Sequence, residues 1–416
     1  MRSSLVVNYF RRFPISDRVT YWRDMQSVLF FSLFNGMTLY FISFIGRKIG
    51  MDVNQLAILG MSTFVGLFLN VWTGHHSDRG DKAKWVLWSG VIARGLVGAA
   101  LVWVSPVVFL VVMCLSNVIG TLGGPAYMSI MRTNYSDRHR GELMSMIRII
   151  AQVGSALAAA FAGWFMQLYP DGYRLLFPLA GALGIVSSLS FYRVKPRSLP
   201  QLPAGTARPE DSGFRDSLRA IAADKLFMVY MAIYFVAGFP DKLLVPLEPV
   251  RFIDELGMDY TAAGLVQGTV PLLGAMTGYF LFIKLSHRVS PFILLVATAL
   301  LASTRFINTA VAMDSYQLIP GAFLNGMGNA GWDLVPVFSI MLFVGKERMS
   351  LYFGFFNTLV GVRGIIGPLL GSWMYGAGMP IVNVYWLAFG MELAAVLGLL
   401  GFLAYFQKHQ GQILAQ

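Results

Sequence analysis

Apolar stretches of about 20 residues recur along the chain, at 25–46, 54–76, 84–104, 107–131, 142–168, 174–192, 225–250, 260–284, 290–312, 317–344, 350–376 and 380–406. Each is long enough to cross a bilayer as a helix. None shows the strict alternation of a barrel strand, so helices must satisfy the backbone in lipid. The pattern predicts an all-α integral membrane protein with twelve transmembrane helices. Its punctuation also repeats after a slide of about 209 positions. Ser77-Asp78-Arg79 falls on Ser286-His287-Arg288, and Ala162-Gly163-Trp164 falls on Gly371-Ser372-Trp373. Two six-helix bundles related by internal duplication are therefore expected, at 23–193 and 225–406. A cytoplasmic arm (1–22), a cytoplasmic Pro-rich linker (194–224) and a cytoplasmic tail (407–416) flank them.

Composition agrees with this pattern: 416 residues are 56% hydrophobic and only 13% charged, too apolar for an ordinary water-soluble domain. Lys and Arg favour the cytoplasmic ends of spans. With the N-terminus inside, 23 basic residues fall in cytoplasmic segments and four outside. Both termini are thus expected in the cytoplasm, and the protein in the inner (plasma) membrane. Topology also accounts for most of the net charge of +11, which leaves no reason to invoke a nucleic-acid partner. No removable signal peptide is expected, because the basic start lacks a short apolar core with a cleavage site. The arm, with Tyr9, Phe10 and Phe13, is read as lying on the inner leaflet or as a loose tail.

One loop carries a family likeness. Gly74-His75-His76-Ser77-Asp78-Arg79-Gly80-Asp81-Lys82-Ala83-Lys84 follows the second span. It resembles the Gly-x-x-x-Asp-Arg-x-Gly-basic-basic signature that the major facilitator superfamily places between helices two and three. The match is carried by Gly74, Asp78, Arg79 and Lys82, while Gly80-Asp81 inverts the order of the signature. What the resemblance implies is a secondary transporter working by alternating access, with Gly74, Asp78 and Arg79 as a conformational gate. The run Gly367-Pro368-Leu369-Leu370-Gly371 is similar to an antiporter signature of helix five. Here helix five lacks the proline, so the resemblance does not assign an antiporter.

An ionisable side chain in mid-membrane costs about 3 kcal/mol, so each invites a functional reading. The spans hold Arg94, Arg148, Lys242, Arg305 and Arg363 against Asp241, Asp333 and Glu392. Helical spacing sorts them. Tyr230, Tyr234, Asp241 and Glu248 share a face of the seventh span, while Asn325, Asn329, Trp332 and Asp333 form a stripe on the tenth. Asn117 and Thr121 lie four apart on the fourth span, and Arg148, Gln152 and Ser155 align on the fifth. By the family likeness Asn35, Asn117, Asp241 and Asp333 point inward, with Arg148 and Arg363 entering from the sides. The candidate substrate residues are Asn35, Asn117, Arg148, Gln152, Tyr234, Asn325, Asn329, Trp332 and Arg363.

Asp241 and Asp333 are candidate proton carriers, because a buried carboxyl can load and release a proton; permanent pairing with a neighbouring cation is the alternative. Arg305 and Glu392 are expected to pair with each other, and Lys242 to snorkel outward. Basic residues outnumber acidic ones five to three within the spans, which favours a small organic anion or zwitterion held by Arg148 and Arg363.

No nucleotide-binding loop, metalloprotease motif or serine elbow appears, so an enzyme is not expected, and neither is a metal site or a cofactor. The expected protein is a monomeric, proton-coupled transporter of a small-molecule substrate, embedded in the lipid bilayer. A proton-driven exporter of amphipathic compounds and a lipid or lysolipid flippase remain open, as does a channel or a transport-dead receptor.

Overall fold

The computed structural model describes residues 10, 12–99, 105–136, 139–194, 219, 221–286, 288–340, 342–343 and 349–413. Twelve principal helices follow in chain order: α1 (Ile15–Thr38), α2 (Val53–Arg79), α3 (Lys82–Ala99), α4 (Pro106–Leu122), α5 (Arg140–Leu168) and α6 (Tyr173–Tyr192), then α7 (Lys225–Leu244), α8 (Val270–Ser286), α9 (Pro291–Val311), α10 (Ile319–Ile340), α11 (Met349–Gly376) and α12 (Ile381–Ile413). Short extensions lengthen α1 (Ile42–Lys48), α4 (Gly124–Asn134) and α8 (Tyr260–Ala263). No strand occurs among the described residues. Ten of these spans, extensions included, are long and apolar enough to cross a membrane. The other two are α3, which carries Lys82, Lys84 and Arg94, and α10.

Helix starts are written in the sequence. Asp52 and Gln55 close a capping box at α2, each side chain meeting the other's backbone N–H. Asp224 accepts from the Phe227 N–H at 3.0 Å to open α7. Such caps satisfy donors that would otherwise be orphaned.

Two compact units emerge, one of Met1–Gln55, Ser62–Pro200 and Asp259–Thr269, the other of Leu56–Met61, Gln201–Met258 and Val270–Gln416. The internal duplication is visible in how helices pair within each. In the first unit α1 packs on α5 and α6, and α3 on α4 and α6; in the second α7 packs on α11 and α12, and α9 on α10 and α12. Each of these pairings recurs six helices later. Because lipid removes most of the hydrophobic drive between helices, close backbone approach has to hold them. At Gly274 and Gly326 an added Cβ would fall against the Phe323 and Pro271 carbonyl oxygens, so these glycines bring α8 and α10 together.

The N-terminal region departs from the sequence reading. Helix α1 starts at Ile15, ten residues before the apolar run, and takes buried Asp17 and Asp24 with it. Ser136 Oγ donates to Asp17 at 2.5 Å, and the Tyr135 hydroxyl donates to Asp24 at 3.5 Å. Phe13 is 2% exposed and meets the His139 ring edge-on at 5.1 Å. The end of the arm is therefore docked on the bundle and not loose; Tyr9 lies outside the described residues.

Candidate functional site

The second unit holds a cluster of charges where α7 breaks. Pro240 lies inside α7, and Pro246 and Pro249 follow, so backbone donors are missing there and the helix gives way to a short turn (Glu248–Val250) and a π-turn (Arg251–Glu255). Asp241 and Glu248 nevertheless stay within reach of one cation. Arg305 of α9 donates through Nη2 to Asp241 Oδ1 at 2.7 Å and approaches Glu248 Oε1 with Nη1 at 3.1 Å. Lys242 Nζ closes on the other Asp241 oxygen at 2.6 Å. Two carboxylates and two cations thus form a neutral quartet.

Two expectations are corrected here. Arg305 pairs with Asp241 and Glu248, not with Glu392. Lys242 turns to its neighbour Asp241 instead of snorkelling outward, because the adjacent carboxylate offers it a contact at 2.6 Å. Asp241 is held by two cations, the paired alternative for that residue.

Beside the quartet lies a cavity of about 220 Å³, lined among others by Asp241, Asn325, Asn329, Asp333, Arg363 and Glu392. The polar stripe of α10 faces it as its spacing predicted, with Trp332 between the carboxamides and Asp333. The Tyr279 hydroxyl donates to Asp333 across from α8. Arg363, 7% exposed, donates from Nη1 to the Tyr234 carbonyl at 3.2 Å and lies over the Tyr234 ring at 5.0 Å. Tyr234 in turn meets Trp332 edge-on at 5.3 Å. Among the described residues no carboxylate lies within 4 Å of the Arg363 guanidinium, and its Nε has no partner. Glu392 of α12 is 1% exposed and its Oε1 has no hydrogen-bond partner among the described residues.

Six of the expected substrate and proton residues thus line one cavity, namely Asp241, Asn325, Asn329, Trp332, Asp333 and Arg363, with Tyr234 directly behind Arg363. The remaining ones belong to the first unit. Asn117 donates to Ser62 Oγ at 2.9 Å, Asn35 on α1 and Gln152 on α5 are half-buried, and Arg148 is exposed. Gly74, Asp78 and Arg79 lie in the last turns of α2, and their side chains lie outside the described residues. Sequence reasoning missed Glu248 as a member of the charge cluster, although its step of seven from Asp241 was visible. It also matched Glu392 with Arg305 and kept it out of the site, and linear spacing holds no signal that α12 brings this residue to the cavity wall.

Comparison with known proteins gives three findings. The family model described as "Major Facilitator Superfamily" matches residues 26–239 and 230–412. Among curated proteins, a "Multidrug resistance protein MdtH" of Aeromonas hydrophila is 25% identical over 160 residues, 38% of this chain and 38% of that protein. One of the same name from an Enterobacter species is 26% identical over 154 residues, 36% of this chain and 37% of its own length. These alignments span well under half of the relatives' length. Among solved structures, the nucleoside transporter NupG superposes with a TM-score of 0.69 at 14% identity, covering 92% of this chain and 99% of its own. A bacterial homologue of the human lysosomal transporter Spinster gives 0.66 at 14% identity, over 97% and 98%. At such identities the likeness shows the fold.

Proposed function

Since the chain belongs to the major facilitator superfamily, and is a multi-pass membrane transporter and not an enzyme, we propose that it moves a small organic solute through the α7–α12 cavity by alternating access, coupled to protons. The observation that carries this reading is the cavity itself. Five ionisable side chains (Asp241, Lys242, Asp333, Arg363 and Glu392) line about 220 Å³ within the membrane-spanning helices, where hydrocarbon exacts a cost for each. Asp241 and Lys242 answer each other within the quartet, which leaves Asp333, Arg363 and Glu392 for a ligand or proton to answer.

The two aspartates divide the work. Asp241, clamped by Lys242 and Arg305, is a fixed counter-ion. Asp333, whose described partner is the neutral Tyr279 hydroxyl, is the proton carrier. Arg363 holds an anionic group of the solute, flanked by Asn325, Asn329 and Trp332, so a zwitterion suits the cavity better than a simple anion. Asn35, Asn117, Arg148 and Gln152 complete the pathway from the first bundle, and Gly74, Asp78 and Arg79 gate it. The distribution of basic residues supports an inner-membrane protein with both termini cytoplasmic, acting as a monomer. A second reading, export of amphipathic compounds, is favoured by the printed name of the curated relatives, multidrug resistance protein.

Purified protein in proteoliposomes tests the proposal. Candidate solutes are screened for accumulation driven by an imposed pH gradient, with Asp333→Asn alongside. Uphill accumulation by the native protein that the variant loses is expected. Equilibration without accumulation would make the protein a channel or a uniporter.

A further inference from the structure

The charges around the cavity do not cancel. Asp241, Glu248, Lys242 and Arg305 neutralise one another through contacts of 2.6 to 3.1 Å. What remains is one cation, Arg363, and two carboxyls, Asp333 and Glu392. Counted over the whole cluster, four acidic groups face three basic ones, the reverse of the balance along the spans. Glu392 is the member with the least compensation, at 1% exposure and with Oε1 unpartnered among the described residues. A buried acceptor left unmade is expensive, and a donor from outside the chain can reach this carboxyl only through its other oxygen, which is not among the sealed unpartnered atoms.

We propose that Glu392 is the anchor for a positively charged nitrogen of the ligand, a primary ammonium, in the cavity of the second unit. Three observations on the wall suit that head group. The ammonium carries three donors and no acceptor, and Glu392, Asp333, Asn325 and Asn329, each with a side-chain oxygen, all line the same space. Trp332 lines it too, an aromatic residue of the kind that favours a cation. A volume of about 220 Å³ falls below the roughly 300 Å³ at the lower end of drug-sized pockets, a size that suits a head group. The inference deepens the transport reading of this cavity and rests on it for physiological meaning, though not for binding.

Three probes with one ring and different heads test it: benzylammonium, benzyl alcohol and benzoate, titrated calorimetrically into the purified full-length protein at neutral pH. Benzylammonium is expected to bind at least tenfold more tightly than either of the others. Glu392→Gln, which keeps the shape and removes the charge, is expected to abolish that preference. Asp333→Asn is expected to weaken it several-fold, and Asp171→Asn, at an exposed carboxylate paired with Arg174, to leave it unchanged. Thermal unfolding of unliganded Glu392→Gln checks its fold, and if it does not fold, Asp333→Asn carries the test. Equal binding of all three probes, tighter binding of benzoate, no binding of benzylammonium, a preference that folded Glu392→Gln retains, or, where that variant does not fold, one that Asp333→Asn leaves untouched would overturn the proposal. A protein that accumulates solute in proteoliposomes yet shows no ammonium preference loses this inference and keeps the transport reading. One that binds benzylammonium through Glu392 and carries nothing loses the transport reading and keeps this one.

Discussion

The guanidinium of Arg363 occupies the place where Gly238 has no side chain. A Cβ built on Gly238 would collide with Arg363 Nη1, Cζ and Nη2 at once, so α7 and α11 interlock through a missing methyl group. This notch seats the cation on the Tyr234 ring and beneath the Tyr234 carbonyl.

Gly238→Ala should therefore act through Arg363. The atoms the methyl would meet are the far end of a flexible side chain, so the guanidinium can swing off the Tyr234 ring into the adjacent cavity, and the change in melting temperature should stay small against the about 0.5–1 kcal/mol of helix propensity that alanine gains over glycine. Arg363→Ala should then cost less in the Gly238→Ala background than alone, because the contacts it removes are already broken. A double-mutant cycle read by thermal unfolding in detergent measures the coupling; strictly additive losses would show that the notch does not hold the guanidinium.

Arg305→Ala is expected to be more damaging than Lys242→Ala. The first leaves Asp241 with one cation and Glu248 with none, while the second leaves both on Arg305. Losing one side of a pair leaves the other charge behind, and because these side chains keep 18–40% of their surface the cost falls below that of a fully buried pair. The yield of folded protein after membrane extraction should thus fall sharply for Arg305→Ala and modestly for Lys242→Ala. Equal yields would mean that Glu248 does not depend on Arg305.

Asp241→Asn and Asp333→Asn should separate in a transport assay. Asparagine at 333 keeps an acceptor for the Tyr279 hydroxyl while removing the exchangeable proton, so exchange of solute down its gradient should persist and proton-driven accumulation should stop. Asparagine at 241 leaves Lys242 and Arg305 short of a carboxylate and should lower stability first. Counterflow set beside gradient-driven uptake distinguishes the two, and loss of both activities in Asp333→Asn would remove its special role in coupling.

The fold was legible because lipid leaves few solutions. Apolar runs of span length and the Ser77/Ser286 and Trp164/Trp373 correspondences sufficed for twelve helices in two repeats. Periodicity also placed Asn325, Asn329, Trp332 and Asp333 on one cavity-facing stripe. It could not choose ion-pair partners, since these depend on which helices touch. In the sequence Arg305 and Glu392 match as two opposite charges, yet the break after α7 delivers Glu248 to Arg305 and leaves Glu392 on the cavity wall. The start of α1 escaped for a related reason. Asp17 lies within the arm and Asp24 just ahead of the apolar run, and neither reads as a buried helical position until Ser136 and Tyr135 supply their hydrogen bonds.

That docked arm yields a last prediction about which contact holds it. Arg12 pairs with Glu142 and lies over the Phe13 ring at 4.8 Å, but both partners of the pair are close to half exposed, at 47% and 41%, and exposed ion pairs and exposed cation–π contacts each contribute about 0–1 kcal/mol. Phe13 is 2% exposed, packed against His139 and, more loosely, Phe10, whose ring centroid lies at 6.0 Å. Truncating a buried phenylalanine costs about 3–5 kcal/mol. Phe13→Ala should therefore lower the melting temperature and expose the arm to protease, while Arg12→Ala leaves both nearly unchanged at moderate salt. If Arg12→Ala proves the more damaging, the arm is held by charge and its attachment should weaken steeply as salt is raised.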